Sequence, residues 1–377
     1  MKNILLLFIF FFVYGWNVFA EKTFVFIGSY NFDKTKEGIY VYELNTITGN
    51  LSKVTSAKDV LNPGYLILSQ NGTFLYSCTD AKTPKAGSVS SYKFNPSEKS
   101  LTFINSRQTG GENPVYVSLS KSENYLLSAN YTDGSVTVYP IQQDGSIATA
   151  NQFIRYSEGS INKTRQEHSH IHSTVFSPDG NYVFLPDLGG DRIWCYAFDS
   201  LQAPVLKDSK NPITFTVPGS GPRHFTFHPN GKFAYCIEEL SGTISVYNYE
   251  NGKLDSIQRI TTHPKKYQVE FSSADIHISP DGKFLYATNR GEENNIAIFS
   301  IQENGILQFV AYQSTLGKTP RNFCIDATGK FLIVANQSTG NIIVFKRNKK
   351  KGLLKKTGKK IKVENPTCVQ IKYYPEK

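Results

Sequence analysis

Residues 221–240 read GPRHFTFHPNGKFAYCIEEL. Two short apolar segments, Phe225 to Phe227 and Phe233 to Ile237, flank Pro229-Asn230-Gly231. Asn-Gly supplies the positive φ values that a tight hairpin turn demands, and Pro229 fixes φ just before it, so the stretch is predicted to be two antiparallel strands. Charged residues stand at both outer ends, Arg223 on one side and Glu238-Glu239 on the other. Antiparallel pairing brings those two ends together.

The same pattern recurs along the chain. Equivalent turn positions are Gly72, Glu123, Gly180, Gly231, Gly282 and Gly329, spaced by 51, 57, 51, 51 and 47 residues. Each turn is followed by a strand led by Phe or Tyr, then by a third strand with period-two alternation such as Thr243 to Tyr249 or Asn295 to Ile301, then by a more variable fourth. Four strands in a unit of about 50 residues mark a propeller blade. The expected fold is therefore all-β. Residues 24–44 supply second and third strands without a first, while Pro366 to Tyr373 is a first strand with nothing after it. The last strand should pair with the N-terminal blade and close the ring, hiding both sheet edges. Six full repeats plus the shared one make a seven-bladed β-propeller with four-stranded blades.

Residues 1–20 stand outside this pattern. Lys2, the apolar run Ile4 to Tyr14 and Val18-Phe19-Ala20 have the three parts of a secretory signal peptide, with cleavage expected after Ala20. Residues 21–377 then form one propeller domain, periplasmic or secreted, with no membrane span after cleavage. Their length of 357 residues is seven times 51. Five cysteines (78, 195, 236, 324 and 368) show no CxxC or metal-like spacing and mostly sit in apolar runs, so buried free thiols are expected. The net charge of +10 comes from residues 346–362, which carry ten basic residues and no acid. They read as a solvated loop inserted between two outer strands, with weak contact to an anionic envelope as the other reading. Nucleic acid is not an expected partner.

First and second strands being antiparallel, the start of one and the end of the other ring a single tunnel mouth in every blade. His172 and Arg223 hold equivalent places 51 residues apart, and so do Glu239 and Arg290. With Asp187 and Arg321 they break a frame that elsewhere carries small or neutral groups, which a merely stable repeat would have no reason to do. Such a set can bind and polarise an anionic or carbonyl substrate. His170, Glu238 and Asn289 lie beside it and are candidate substrate contacts. Structural alternatives stand next to each: an ion pair between Glu239 and Arg290, strand capping by His172, a tunnel-wall role for Arg321, a turn acceptor in Asp187. His168, His170 and His172 invite a metal, but no Asp or Cys at fitting spacing completes the set, so neither metal nor cofactor is expected. His224, Cys324 and Cys368 read as packing. Longer connections at Arg155 to Glu167 and Pro264 to Ser273 enter first strands on the same face and could shape access. G-x-S-x-G, P-loop, H-E-x-x-H and CxxC motifs are all absent, which removes serine-nucleophile and phosphoryl-transfer chemistry.

In order and spacing, HSHIHSTVFSPDG, LPDLGGDRI, GSGPRHFTFHPNGKFAYCIEEL, ADIHISPDGKFLYATNRG and TPRNFCIDATGKFLIVANQ resemble the propeller-type lactonase family. That family includes bacterial propeller 6-phosphogluconolactonases and, more distantly, the fungal carboxymuconate cyclase. The resemblance covers nearly the whole mature chain. It implies that His172, Arg223, Glu239 and Arg290 are the active-site set. On that set Glu239 is expected to activate water as general base and His172 to pass a proton to the leaving ring oxygen, with the exchange of those two roles as the alternative, and the small-molecule substrate is expected to be a lactone. Two departures matter: Glu238 stands where the family commonly has Asn, and export does not suit a cytoplasmic sugar phosphate. The resulting expectation is an exported lactonase acting on a sugar-derived or related lactone. A non-catalytic propeller that binds carbohydrate or protein, and a muconate-type lactone-forming isomerase, are the alternatives.

Overall fold

A computed structural model describes residues 22–79, 86–267 and 270–375. The expected signal segment, Met1 to Ala20, lies outside the described residues. Among the described residues, 28 strands, numbered β1 to β28 in chain order, form seven four-stranded antiparallel sheets. No described residue is helical.

The hairpin at 221–240 is β16 (Pro222–Phe227) paired with β17 (Phe233–Glu238). Its turn differs in detail from the expected one. Gly231 N–H donates to His228 O at 2.9 Å, so Pro229 and Asn230 form the middle of the turn and Gly231 alone takes a positive φ, 71°. Gly72, Gly180, Gly282 and Gly329 repeat that conformation, and Glu123 adopts it at 57° without being glycine. Ring closure follows the expectation. β28 (Pro366–Tyr374) pairs antiparallel along β1 (Lys22–Ser29), making the C-terminal strand the innermost of the first blade.

Blades pack through apolar faces and are tied at their edges by buried tyrosines. Tyr235 donates to Gly305 O at 2.9 Å, Tyr286 to Gly352 O at 2.7 Å and Tyr374 to Gly72 O at 2.8 Å, each into the next blade around the ring. The five cysteines are free, and Cys324 is the one not fully buried.

The Lys-rich run needs a correction. It is no insertion: β26 (Asn341–Arg347) ends in it, and β27 (Leu354–Lys362), the outermost strand of its blade, is made of it. Lysines along an exposed edge strand keep its unpaired backbone groups from recruiting another strand. Arg347, the one arginine of the run, is buried on Asp281 at 3.0 Å.

What positions the site is a set of bulges where inner strands leave the mouth. Pro222 pairs with Glu238 but His224 pairs with Ile237, so Arg223 is an extra, unpaired residue. Gly64 in β4 (Pro63–Leu68), Val115 in β8 (Pro114–Leu119) and Arg321 in β24 (Pro320–Ile325) are extra in the same way. In the fourth blade the inner strand shrinks to β12 (Val175–Phe176), preceded by an isolated bridge from Ile171 to Asp187. Bulges re-aim side chains, and here they do so around one tunnel mouth.

Candidate active site

Glu239 follows directly after β17 and is buried. Its Oε1 accepts from Arg165 Nη2 at 2.7 Å, and its Oε2 accepts from Arg223 Nε at 2.9 Å and lies 2.8 Å from Arg290 Nη2. Burial alone would raise its pKa. Arg290, Arg223 and Arg165 outweigh burial and hold the carboxyl far below the usual carboxylate range.

The four arginines have different duties. Arg223 is 1% exposed, and its Nη1 donates to Ala274 O at 2.6 Å and to His224 Nε2 at 3.1 Å. Burial, with Arg290 beside it, pushes its pKa down to about 9, which leaves it cationic at neutral pH. Arg290 donates to the backbone of Ser272 and Ser273 at 3.3 and 3.2 Å. Arg321 lies over the Tyr30 ring at 5.5 Å and donates to its hydroxyl at 3.3 Å. Arg165 reaches in from the long connection between β11 (Gln152–Arg155) and Ile171, a segment pinned by Gln166 Nε2 on Leu188 O at 2.9 Å.

His172 completes the group. It is buried, its Nδ1 has no hydrogen-bond partner among the described residues, and Tyr131 meets it edge-on at 5.4 Å. Burial first, then Arg223, His224 and Arg321, keep it well below the ordinary imidazole pKa, so it is neutral at pH 7. Arg165, His172, Glu239, Arg290 and Arg321, walled by Tyr30 and Tyr131, enclose a cavity of about 180 Å³. Among the described residues, four guanidiniums gather at or behind this cavity against one carboxylate, which leaves a positive field for a small anion or a developing oxyanion.

The structure therefore brings together His172, Glu239, Arg290 and Arg321 at the cavity, and Arg223 directly behind them. Four other expected contacts are turned to structural work. Asp187 accepts from Ser169 Oγ, the His170 and Gly190 amides and Trp194 Nε1 at 2.8 to 3.2 Å, which fits the turn-acceptor alternative. Glu238 accepts from Thr243, Ser245 and Arg259 within its own blade. Asn289 bridges Thr262 and Ser273. His170 lies behind Tyr131, stacked on it at 4.5 Å, with Nδ1–H donating to Tyr131 O at 2.9 Å. None of the four lines the cavity.

Sequence reasoning missed Arg165, Tyr30 and Tyr131. Both tyrosines occupy the mouth register but are uncharged, and Arg165 lies in a connection outside the repeat; the unusual length of that connection was its one signal. His224, read as packing, also needs correction. Its ring meets Tyr116 at 5.4 Å and His172 at 5.2 Å, and Nδ1–H donates to Asp275 Oδ1 at 2.7 Å. Asp275 in turn accepts from His277 Nε2 at 2.9 Å, Asn322 Nδ2 at 2.6 Å and the Phe323 amide at 3.1 Å. Because the guanidinium donates to Nε2, the proton of neutral His224 sits on Nδ1. Asp275, through His224, thus holds Arg223 from below. Here a second cavity of about 270 Å³, lined among others by Tyr65, Tyr116, His224 and His277, opens toward the turn side at Pro178.

Comparison with known proteins agrees with this architecture. Residues 24–371 match the family model described as lactonase, 7-bladed beta-propeller. A 6-phosphogluconolactonase of Formosa agariphila is 39% identical over 93% of this chain and 99% of its own length. A 6-phosphogluconolactonase of Bacillus subtilis is 36% identical over 92% and 97%. Among solved structures, the periplasmic gluconolactonase of Pseudomonas aeruginosa superposes with a TM-score of 0.88 at 34% identity, covering 93% of this chain and 99% of that one.

Proposed function

The chain belongs to the seven-bladed β-propeller lactonase family, and from that premise we propose that it hydrolyses a sugar lactone in the periplasm or outside the cell. The observation that carries this reading is the neutral imidazole of His172 beside a cavity in which the carboxylate of Glu239 is saturated by guanidiniums. A periplasmic relative of the same fold and the leader-like residues 1–20 support the location.

Glu239, with both oxygens engaged, is a poor proton acceptor; its part is to hold Arg165, Arg223 and Arg290 in one plane of action. Arg290, Arg321 and Arg165 face the substrate, orient the lactone carbonyl and stabilise the oxyanion as water adds. His172 takes the proton from the attacking water and returns it to the ring oxygen as the C–O bond breaks, leaving a hydroxy acid. The oxyanion neutralises part of the field that disfavours imidazolium, so His172 gains basicity as the transition state forms. Arg223, held by Asp275 and His224, acts through Glu239.

The test is base uptake at constant pH over a panel containing gluconolactone and 6-phosphogluconolactone. His172→Asn should lower kcat about 10²- to 10⁴-fold, the usual worth of a general base, with KM little changed. Wild type equal to His172→Asn on every lactone would falsify the catalytic reading.

A further inference from the structure

We propose that Glu167, His168 and His170 form a binding site for a divalent transition metal of the zinc class, at the root of the connection that carries Arg165. In the sequence no Asp or Cys at fitting spacing joins His168, His170 and His172. Folding sends His172 to the cavity and brings in the adjacent carboxylate instead.

One donor atom from each of the three residues lies within 4.8 Å of the others. Glu167 Oε1 stands 3.8 Å from His168 Nδ1 and 3.6 Å from His170 Nε2. Ligands about 2.0–2.2 Å from a tetrahedral zinc stand roughly 3.4 Å apart, so a small inward movement closes the set. The outer nitrogens decide the tautomers. His168 Nε2 lies 2.7 Å from Thr132 O and His170 Nδ1 lies 2.9 Å from Tyr131 O. A carbonyl has no proton to give, so both outer nitrogens carry N–H, and in the neutral form of each ring the inner nitrogen presents its lone pair toward Glu167. Two lone pairs and a carboxylate converge at distances too long for hydrogen bonds. A cation between them resolves that repulsion, and outer N–H groups donating to backbone carbonyls are the usual support of metal-bound histidines.

Softness favours the zinc class over calcium or magnesium, since two of three donors are imidazoles. Glu167 and His168 are partly exposed, at 49% and 38%, which gives the ion an entry path and leaves a fourth position for water. The carbonyls belong to the turn after β9 (Tyr125–Asn130), so the ion would fasten the Arg165 connection onto the preceding blade. None of the three ligands lines the cavity, and this inference is independent of which lactone is cleaved.

The experiment uses the full mature chain without a polyhistidine tag, stripped with chelator and titrated calorimetrically with Zn²⁺. One site per chain is expected, weakened more than ~100-fold in His168→Ala and in Glu167→Gln and kept in His263→Ala. Both test positions are partly exposed, so the fold should survive, as circular dichroism will show. Zn²⁺ should also slow tryptic cleavage after Lys163 and Arg165 in wild type and not in Glu167→Gln. Absence of a one-to-one site, or a site indifferent to both substitutions, overturns the proposal.

Discussion

At the turn end of the β16–β17 hairpin, a Cβ added to Gly231 would meet nothing nearer than Pro178 Cβ at 4.0 Å. At the mouth end, sixteen residues separate Arg223 from Glu239, yet Nε and Oε2 lie 2.9 Å apart inside a cluster fed by three other blades and a loop. The turn is one of several copies of a single conformation, and the glycine itself has open space around it. The mouth has no equivalent elsewhere in the ring, and its carboxylate is held by guanidiniums from a neighbouring blade and a loop. A substitution at the turn therefore costs only its own backbone, whereas one at the mouth strands charges that belong to other blades.

The sharpest way to break that contrast is Glu239→Gln. It leaves buried guanidiniums without their anion, and removing one partner of a buried ion pair costs about 3–5 kcal/mol. Urea unfolding should register a loss of that size, partly restored by sulfate or phosphate entering the cavity. Stability within experimental error of wild type would show that the arginines do not depend on Glu239.

A smaller effect separates the arginines from the histidines beneath them. Burial, then Arg223, bring His224 to about 4 despite Asp275. The unfolded chain takes up a proton below pH 6.5 that folded His224 refuses, so stability falls as pH drops from about 6.5 toward 4. Between pH 7.5 and 5 this residue accounts for about 2 kcal/mol. His172, also held low, acts in the same direction. His277, raised by Asp275 against burial, acts oppositely: its contribution is present below pH 6.5 and fades above its folded pKa. His224→Gln should flatten the pH 5 to 7.5 stability difference by about the same 2 kcal/mol, and an unchanged slope would assign the acid sensitivity elsewhere. The smallest effect belongs to the turn. Gly231→Ala should cost about 1 kcal/mol for its left-handed φ, read as a modest fall in Tm, with kcat and KM unchanged.

Repetition made the fold legible. A 51-residue spacing turns one hairpin into a register for all seven, so closure by residues 366–374 and the meeting of His172, Arg223, Glu239 and Arg290 could be read by translation along the chain. The same logic failed wherever an interaction left the repeat. Arg165 lies in a connection with no counterpart. Asp275 lies one repeat on from His224, so their neighbouring blades were legible, but the hydrogen bond between their side chains was not. Asp187 was read as breaking the pattern and Glu238 and Asn289 as lying beside the set, but which neighbours their side chains would satisfy was beyond a register argument.

The sequence by itself determined the number of blades, the closing strand and the face on which the charged side chains gather, because strand period, turn residues and repeat length are local and additive. Tertiary structure alone decided what each charged group became. Whether a carboxylate is a base or a clasp depends on burial and on the distances to cations from other blades. Three guanidiniums surround Glu239, while burial with Arg223 and Arg321 nearby keeps His172 neutral.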